Sequence, residues 1–444
     1  MGISINSPQF NAIASDLQGN ILKSHGRDSA AHLFIRFSDP HTAKEFIKKE
    51  VIKRITSAAE QKQDSIDFKQ DRSNGFRDFI SFAISQLGYD FLGVPLGDHP
   101  PDPSFKAKQR NQQDLLSDPD VSDWEEPYQT EYHAMMIIAN TAEGKVQQRV
   151  SFIMNKLRPI TSRIHVEQGR GIRNKQGAHI EHFGFVDGIS QPLLINDDLT
   201  SGKISRNNWD PEADLNLALV RDPGGEDDNS FGSYLVYRKL QQDVPGWNNA
   251  VVTQAAHLGI DPNYFGAQLV GRFKSGNPLI PVTPPQPGPL KSQNDFNYDA
   301  DDTVGSKCPF HAHIRKTNPR GTGGFESPDD EKKHLFVRRG ITYGELGGSD
   351  VGLLFMCYNS DIENQFEFMQ KNWANNTGFP GNKPNGPHGK DPVIGQGSNR
   401  PDQNYATIWG DDSSMTSHPN FGQFVTMKGG EYFFTPSISF LKSL

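Results

Sequence analysis

The sequence predicts an α+β protein built as two related halves, each a sheet covered by helices on one face. Three observations carry this. A strand-like run followed by a capped amphipathic helix occurs three times. The first and third of these units resemble each other. The length of 444 residues exceeds one ordinary domain and is comfortable for two.

The first unit begins with the apolar run His32–Phe37, broken by Ser38-Asp39-Pro40. A helix is expected next, with Thr42 as N-cap and Glu45 at the capping-box spacing. Phe46, Ile47, Val51 and Ile55 recur at helical intervals. The second unit is His133–Ala139 followed by Lys145–Leu157, with Val146, Val150, Ile153 and Leu157 on one stripe. The third is Gly352–Tyr358, then a helix capped by Ser360 with Glu363 at the box position and Ile362, Phe366, Met369 and Trp373 as its stripe. Setting Ser38-Asp39 against Ser360-Asp361 places Phe46 opposite Phe368. Three polar stretches interrupt these units and read as loops: 98–132, 276–302 with its PVTPPQPGP run, and 375–404. The break at Asp222-Pro223-Gly224-Gly225 sets the division at 1–220 and 221–444.

Composition narrows the function. The apolar share is 34%, with 42 Gly and 30 Pro, while 29 Phe, 11 Tyr and 5 Trp supply enough aromatic area for a core. A net charge of −8 repels phosphate backbones, so no nucleic-acid partner is expected. No apolar run is long enough to span a membrane, so no membrane partner is expected. Met1–Phe10 carries no basic segment followed by an apolar one, which favours a soluble protein of the cytoplasm over a secreted one. Two cysteines, Cys308 and Cys357, cannot build a disulfide framework.

Two neighbourhoods carry candidate chemistry. In His179–Pro192, Asp187 precedes Gly188: Asp-Gly is a turn signal, and the alternative is a carboxylate held in an apolar cavity as a proton shuttle. In Cys308–Arg320, His311 and His313 stand one residue apart among Arg315, Lys316 and Arg320. The spacing from Gly305 to that His pair matches the opening of a cupin metal motif, but the glutamate expected shortly afterwards is missing. A single histidine ligand flanked by cations suits a cofactor bearing both a metal and carboxylates, such as haem; a basic surface turn is the bland alternative.

Taken together these segments resemble the dye-decolourising peroxidases, a haem peroxidase family. The carriers are Gly184-Phe185-Val186-Asp187-Gly188 with Ile189-Ser190-Gln191-Pro192, then Cys308-Pro309 through Ala312-His313-Ile314-Arg315-Lys316 to Asn318-Pro319-Arg320, then Arg338-Arg339-Gly340-Ile341-Thr342-Tyr343-Gly344, with Asp16–Lys23 as an opening segment. The likeness runs from about residue 16 almost to the C-terminus, and it implies two ferredoxin-like halves with antiparallel sheets and haem in the C-terminal half. It implies one haem b per chain with His313 as the proximal iron ligand, Asp187 as the distal acid–base residue and Arg338 as the distal arginine, Arg339 being the one-residue alternative. It places Gln191 at the cofactor, Arg315 against a haem propionate, and Asp391 as first candidate for the carboxylate behind His313, with Asp361 and Glu363 as alternatives. Leu353 and Phe355 are expected to shape the distal pocket or simply to fill the strand core. Tyr343 and Trp373 are candidates for electron relay.

The activity implied is reduction of hydrogen peroxide and oxidation of anthraquinone dyes and phenolic compounds through high-valent iron, by a monomer or homodimer. A haem carrier or sensor with the same fold is the alternative, and a non-haem metal site on His311 and His313 a third. An ordinary aspartate titrates near about 3.9 and a histidine near about 6.5, so an Asp-controlled peroxidase is expected to work at acidic pH.

Overall fold

The structure, a computed structural model, describes residues 2–71, 77–200, 206–280 and 294–444. In chain order its strands are β1 Ser29–Phe37, β2 Phe79–Ser85, β3 Ala134–Asn140, β4 Thr161–Arg170, β5 Ile172–Arg173, β6 His179–Ile180, β7 Val220–Arg221, β8 Phe231–Gln242, β9 Val337–Arg338, β10 Ile341–Tyr343, β11 Gly352–Asn359, β12 Gln403–Ala406, β13 Met415–His418 and β14 Val425–Thr435. β5 and β6 form one short ribbon, and β12 and β13 another.

The remaining strands make one antiparallel sheet along the path β10-β11-β8-β14-β2-β3-β1-β4, with β7 beside β8 and β9 beside β11. This path divides into β4-β1-β3-β2 and β14-β8-β11-β10. Counted within its own half, each set runs fourth, first, third, second, which is the ferredoxin-like order. The halves join where Phe433 and Phe434 of β14 face Ser85 and Ile84 of β2. Gln18 secures that seam. Its amide donates to Phe82 O and Pro436 O at 2.9 and 2.8 Å and its carbonyl accepts from Phe82 N at 2.9 Å. The opening segment of the sequence is therefore a joint between halves.

The two ends of the sheet also meet. Thr342 Oγ1 of β10 donates to Arg170 O of β4. A Cβ at Gly169 would lie 2.4 Å from Ile341 Cγ2, so only glycine lets the strands come this close. No ladder links β10 to β4 among the described residues, so the sheet curls without closing. One face packs on the cluster of Phe34, Met135, Leu235 and Tyr237, and the other on Ile80, Phe82, Met136 and Val236. Alternate residues of the same strands thus enter two cores.

The strand–helix units are present, with shifted caps. Asp39, not Thr42, caps the first helix, its carboxylate accepting from Thr42 N at 2.9 Å. That helix, Pro40–Phe46, continues as a π-helical turn over Ile47–Val51. The third unit is π-helical over Glu363–Glu367 and Met369–Ala374. There Gln365 accepts from Ser360 N and Asp361 N, and Asp361 accepts from Asn364 N, so Ser360 and Glu363 make no capping box. The second helix starts at Glu143 rather than Lys145. β1 is the first strand of its half and β11 the third of its own, so the suspected repeat matched units that are not equivalent between halves. The polar stretch 98–132 holds short helical turns, including Pro103–Ala107 and Glu126–Gln129. The PVTPPQPGP run lies outside the described residues.

Candidate functional site

A cavity of about 460 Å³ lies between the 184–192 loop, strands β9 to β11 and the helical turn His313–Thr317. Asp187, Gln191, His313, Arg320, Arg338 and Leu353 are among its walls.

The Asp187 loop is held in shape by its own hydrogen bonds and by one from β8. Glu181, half-buried and with its carboxyl pushed up by desolvation, accepts from Phe183 N and Phe185 N at 2.8 Å each and from Gln242 Nε2 at 2.6 Å. Gly184 and Gly188 take φ of +93° and +79°. Asp187 N donates to His179 O at 3.0 Å, and the Asp187 carboxylate accepts from Gly188 N at 2.6 Å. The Asp-Gly pair therefore bends the chain and also presents a carboxylate to the cavity, with 40% of that side chain exposed. Phe183 stacks on Trp247 with ring centres 4.2 Å apart, which backs the loop with a rigid aromatic pair.

Arg338 faces Asp187, its Nη1 3.9 Å from Asp187 Oδ1. Its Nη2 donates to Ile189 O at 3.0 Å. Arg339 turns the other way and donates to Asn20 O and Ile21 O in the opening segment. Alternation along β9 and its continuation sends the Arg338 guanidinium toward Asp187 and that of Arg339 toward the opening segment.

Also in the cavity lining is His313, whose Nδ1 lies 2.8 Å from Asp391 Oδ2. Asp391 is fully buried, and its other oxygen accepts from Val393 N at 2.7 Å and Ile394 N at 3.0 Å. The remaining ring nitrogen of His313 has no partner among the described residues and belongs to the cavity wall. Asp361 and Glu363 stand elsewhere: Asp361 caps the following turn at Asn364, and Glu363 lies in the π-helical turn.

Arg315 is not a cavity residue. It is fully buried, donates to Asp302 Oδ2 at 2.9 Å and to Cys308 O at 2.6 Å, and lies over the rings of Tyr298 and Phe310. Residues two apart on a helix face opposite ways, so a turn that aims His313 inward aims Arg315 outward into protein. Lys316 is buried as well and donates to Asn376 O and Phe379 O, burial pushing its ammonium down to about 7. Besides Arg338, the cations lining the cavity include Arg320 and Arg272, which sequence reasoning respectively left unassigned and missed. Both donate to Asn294 Oδ1, at 2.7 and 2.9 Å, and burial pushes each down to about 10. The helical turn ends at Thr317 and Arg320 lies beyond it in the left-handed region, so no periodic spacing pointed to Arg320, and none pointed to Arg272.

Gln191 borders the cavity, but its Oε1 accepts from Arg338 N at 3.1 Å. His311 is buried in the core, edge-on to Tyr405 at 4.8 Å, and no group of three His, Cys, Asp or Glu side chains able to hold a metal occurs among the described residues. This leaves the pair of histidines without a metal site. Leu353 and Phe355 do line the cavity. Tyr343 is buried, its hydroxyl without a partner among the described residues and its ring 4.7 Å from the Lys239 ammonium. Trp373 is buried and stacks on Phe379 at 5.3 Å. Both cysteines are free and buried. No described helix is long and apolar enough to cross a membrane.

Comparison with known proteins agrees with this architecture along the chain. Residues 16–173 match the family model for the DyP dimeric alpha+beta barrel domain, and residues 182–380 match that for the C-terminal region of Dyp-type peroxidases. The multifunctional dye peroxidase DyP2 of an Amycolatopsis species is 42% identical over 97% of this chain and 95% of its own. A dye-decolorizing peroxidase of Auricularia auricula-judae is 30% identical over 96% and 86%. Among solved structures, a DyP-type peroxidase of an Anabaena species superposes with a TM-score of 0.93 at 40% identity, covering 100% of this chain and 97% of that one.

Proposed function

The chain belongs to the dye-decolourising peroxidase family, and on that footing we propose that it holds one haem b in the cavity and directs hydrogen peroxide with Asp187 and Arg338. The protein is a peroxidase, an oxidoreductase. The cofactor's identity and the roles of the site residues are our reading.

The residues present fit the group. The cavity volume falls in the range of small-molecule sites, roughly 300–1,000 Å³. Its walls include apolar Leu353, Phe355 and Met369 for a porphyrin face. One imidazole nitrogen at the wall lacks a partner and would hold the iron. Arg320 and Arg272 converge on a single amide oxygen and would take the propionates. Bound there, haem supplies an iron able to accept oxidising equivalents from peroxide.

The chain's own groups then have distinct tasks. The Asp187 carboxylate takes the proton from one peroxide oxygen and returns it to the other, which leaves as water. The Arg338 guanidinium, always charged, offsets the negative charge on the leaving oxygen. Asp391 holds His313 in one tautomer and raises its basicity. Dyes, in line with the names of the relatives, and phenolic compounds are the proposed reductants. The observation that carries this reading is that Asp187, Arg338 and a carboxylate-backed histidine line one cavity.

Steady-state oxidation of an anthraquinone dye and of a phenol, with peroxide, tests it. Asp187→Asn should lower the rate about 10²–10⁴-fold and Arg338→Leu about 10²–10³-fold. A haem carrier or sensor needs neither residue and would turn over neither reductant in the parent protein.

A further inference from the structure

We infer that Gln191 is a positioning residue that holds the Arg338 guanidinium off the Asp187 carboxylate, keeping open the gap a peroxide must enter. The inference rests on the roles proposed above for Asp187 and Arg338.

The geometry is specific. β9 pairs with β11 on one side only, Cys357 opposite Arg338, and the next amide, Arg339 N, donates to Met356 O at 2.7 Å. The Arg338 amide points the other way, and an amide left unpaired at such a site is costly. Gln191 supplies its acceptor at 3.1 Å. Ile189 O accepts from Nη2 of the same arginine at 3.0 Å. One short loop thus grips Arg338 at backbone and side chain. The third contact, Nη1 to Asp187 Oδ1, is left at 3.9 Å, longer than a direct charge-assisted hydrogen bond of about 2.7–2.9 Å.

The loop itself is braced. Ser190 takes φ +64° and its hydroxyl accepts from Arg320 Nη2 at 3.2 Å, Arg320 itself lying at φ +56°. Two non-glycine residues in the left-handed region, joined to each other, are held by their surroundings, as is usual where a site is pre-organised. Gln191 follows directly, so its carbonyl is aimed by a rigid backbone.

Without that acceptor β9 and the loop lose one of their two ties. Oppositely charged groups 3.9 Å apart then close into a direct pair, which occupies the donor face of Arg338 and the proton-accepting oxygen of Asp187 together. A merely structural role for Gln191 predicts loss of stability or of haem with no selective effect on ligands. The positioning role predicts a distal defect in a fully loaded protein.

The test uses haem-loaded protein and four variants: Gln191→Met, which keeps length and loses the acceptor; Gln191→Leu, which carries the same expectation should Gln191→Met fail to assemble; Gln191→Glu, which keeps an acceptor; and Arg338→Leu as reference. The bimolecular rate with hydrogen peroxide and the affinity for fluoride, a small anion the guanidinium would stabilise at the iron, are measured at matched haem content. Gln191→Met should react with peroxide about tenfold more slowly and bind fluoride several-fold more weakly, less than the full loss on removing the guanidinium, and Gln191→Glu should recover most of both. Parental rate and fluoride affinity in both Gln191→Met and Gln191→Leu, with Arg338→Leu strongly impaired, overturns the inference and leaves the proposed function standing. Parental behaviour in Arg338→Leu removes the reading beneath it and the inference with it.

Discussion

His313 and Asp391, 78 positions apart in sequence, meet at 2.8 Å through Nδ1 and a fully buried carboxylate oxygen. The other oxygen of Asp391 is committed to Val393 N and Ile394 N, so the carboxylate cannot swing away from the ring. Arg315 fastens the preceding loop to Asp302, and Lys316 fastens the 376–379 segment that leads to Asp391.

Replacing Asp391 with Asn keeps the shape and removes the charge behind the imidazole. Haem should still bind, while the bimolecular rate with peroxide should fall roughly 10–100-fold, the usual cost of altering the partner of a ligating histidine. Stopped-flow absorbance of the loaded variant checks this. An unchanged rate would show that the carboxylate only holds the loop.

Arg315→Met should destabilise the protein without acting through the cofactor. The Arg315–Asp302 pair is fully buried on both sides, and removing one partner of such a pair costs about 3–5 kcal/mol. Because Arg315 does not touch the cavity, the loss should be equal in haem-free and haem-loaded protein. Denaturant unfolding of both forms decides. A loss confined to the loaded form would return Arg315 to the cofactor.

These contrasts show what sequence could and could not reveal. The approach of Arg338 to Asp187 and of Asp391 to His313 agrees with a reading in which each lay in a short stretch of distinctive residues. Arg315 was misplaced because nearness in sequence stood in for facing, and a helical turn separates the two. Strand β8, the centre of the C-terminal half, went unread. Its Arg238 and Lys239 look like solvent-facing residues, yet both are buried, paired with Asp118 and with Glu125 and Glu167 from distant segments. A linear pattern carries no sign of partners supplied from so far away. The joining of both halves in one sheet was hidden for the same reason.

Stability should fall on acidification. Burial pushes His25 and His311 down to about 3, and His32, His133 and His388 down to about 4. A depressed histidine contributes stability fully above its unfolded value of about 6.5 and loses it as pH falls toward the folded value. Burial raises Asp222 to about 6 and Glu331 and Glu431 to about 7. These contribute fully below their unfolded values near 4 and lose stability as pH rises, so they oppose the histidines between about 7 and 4. Among the groups shifted furthest, five histidines oppose three carboxylates, which gives an expected net decline from about pH 6.5 to 4, continuing to about 3 through His25 and His311. Urea midpoints across this range test the slope. His32→Leu, which removes an imidazole with no partner on either nitrogen, should flatten it. An acidic activity range would therefore be limited from below by the fold itself.

The absorption spectrum of the haem-loaded protein before and after one equivalent of hydrogen peroxide tests the central claim most directly. The parent should show a Soret band that changes within the mixing time. Asp187→Asn should show the same band and no prompt change, and His313→Ala should lose or alter it. A prompt, full change in Asp187→Asn, or an unaltered band in His313→Ala, would contradict the account.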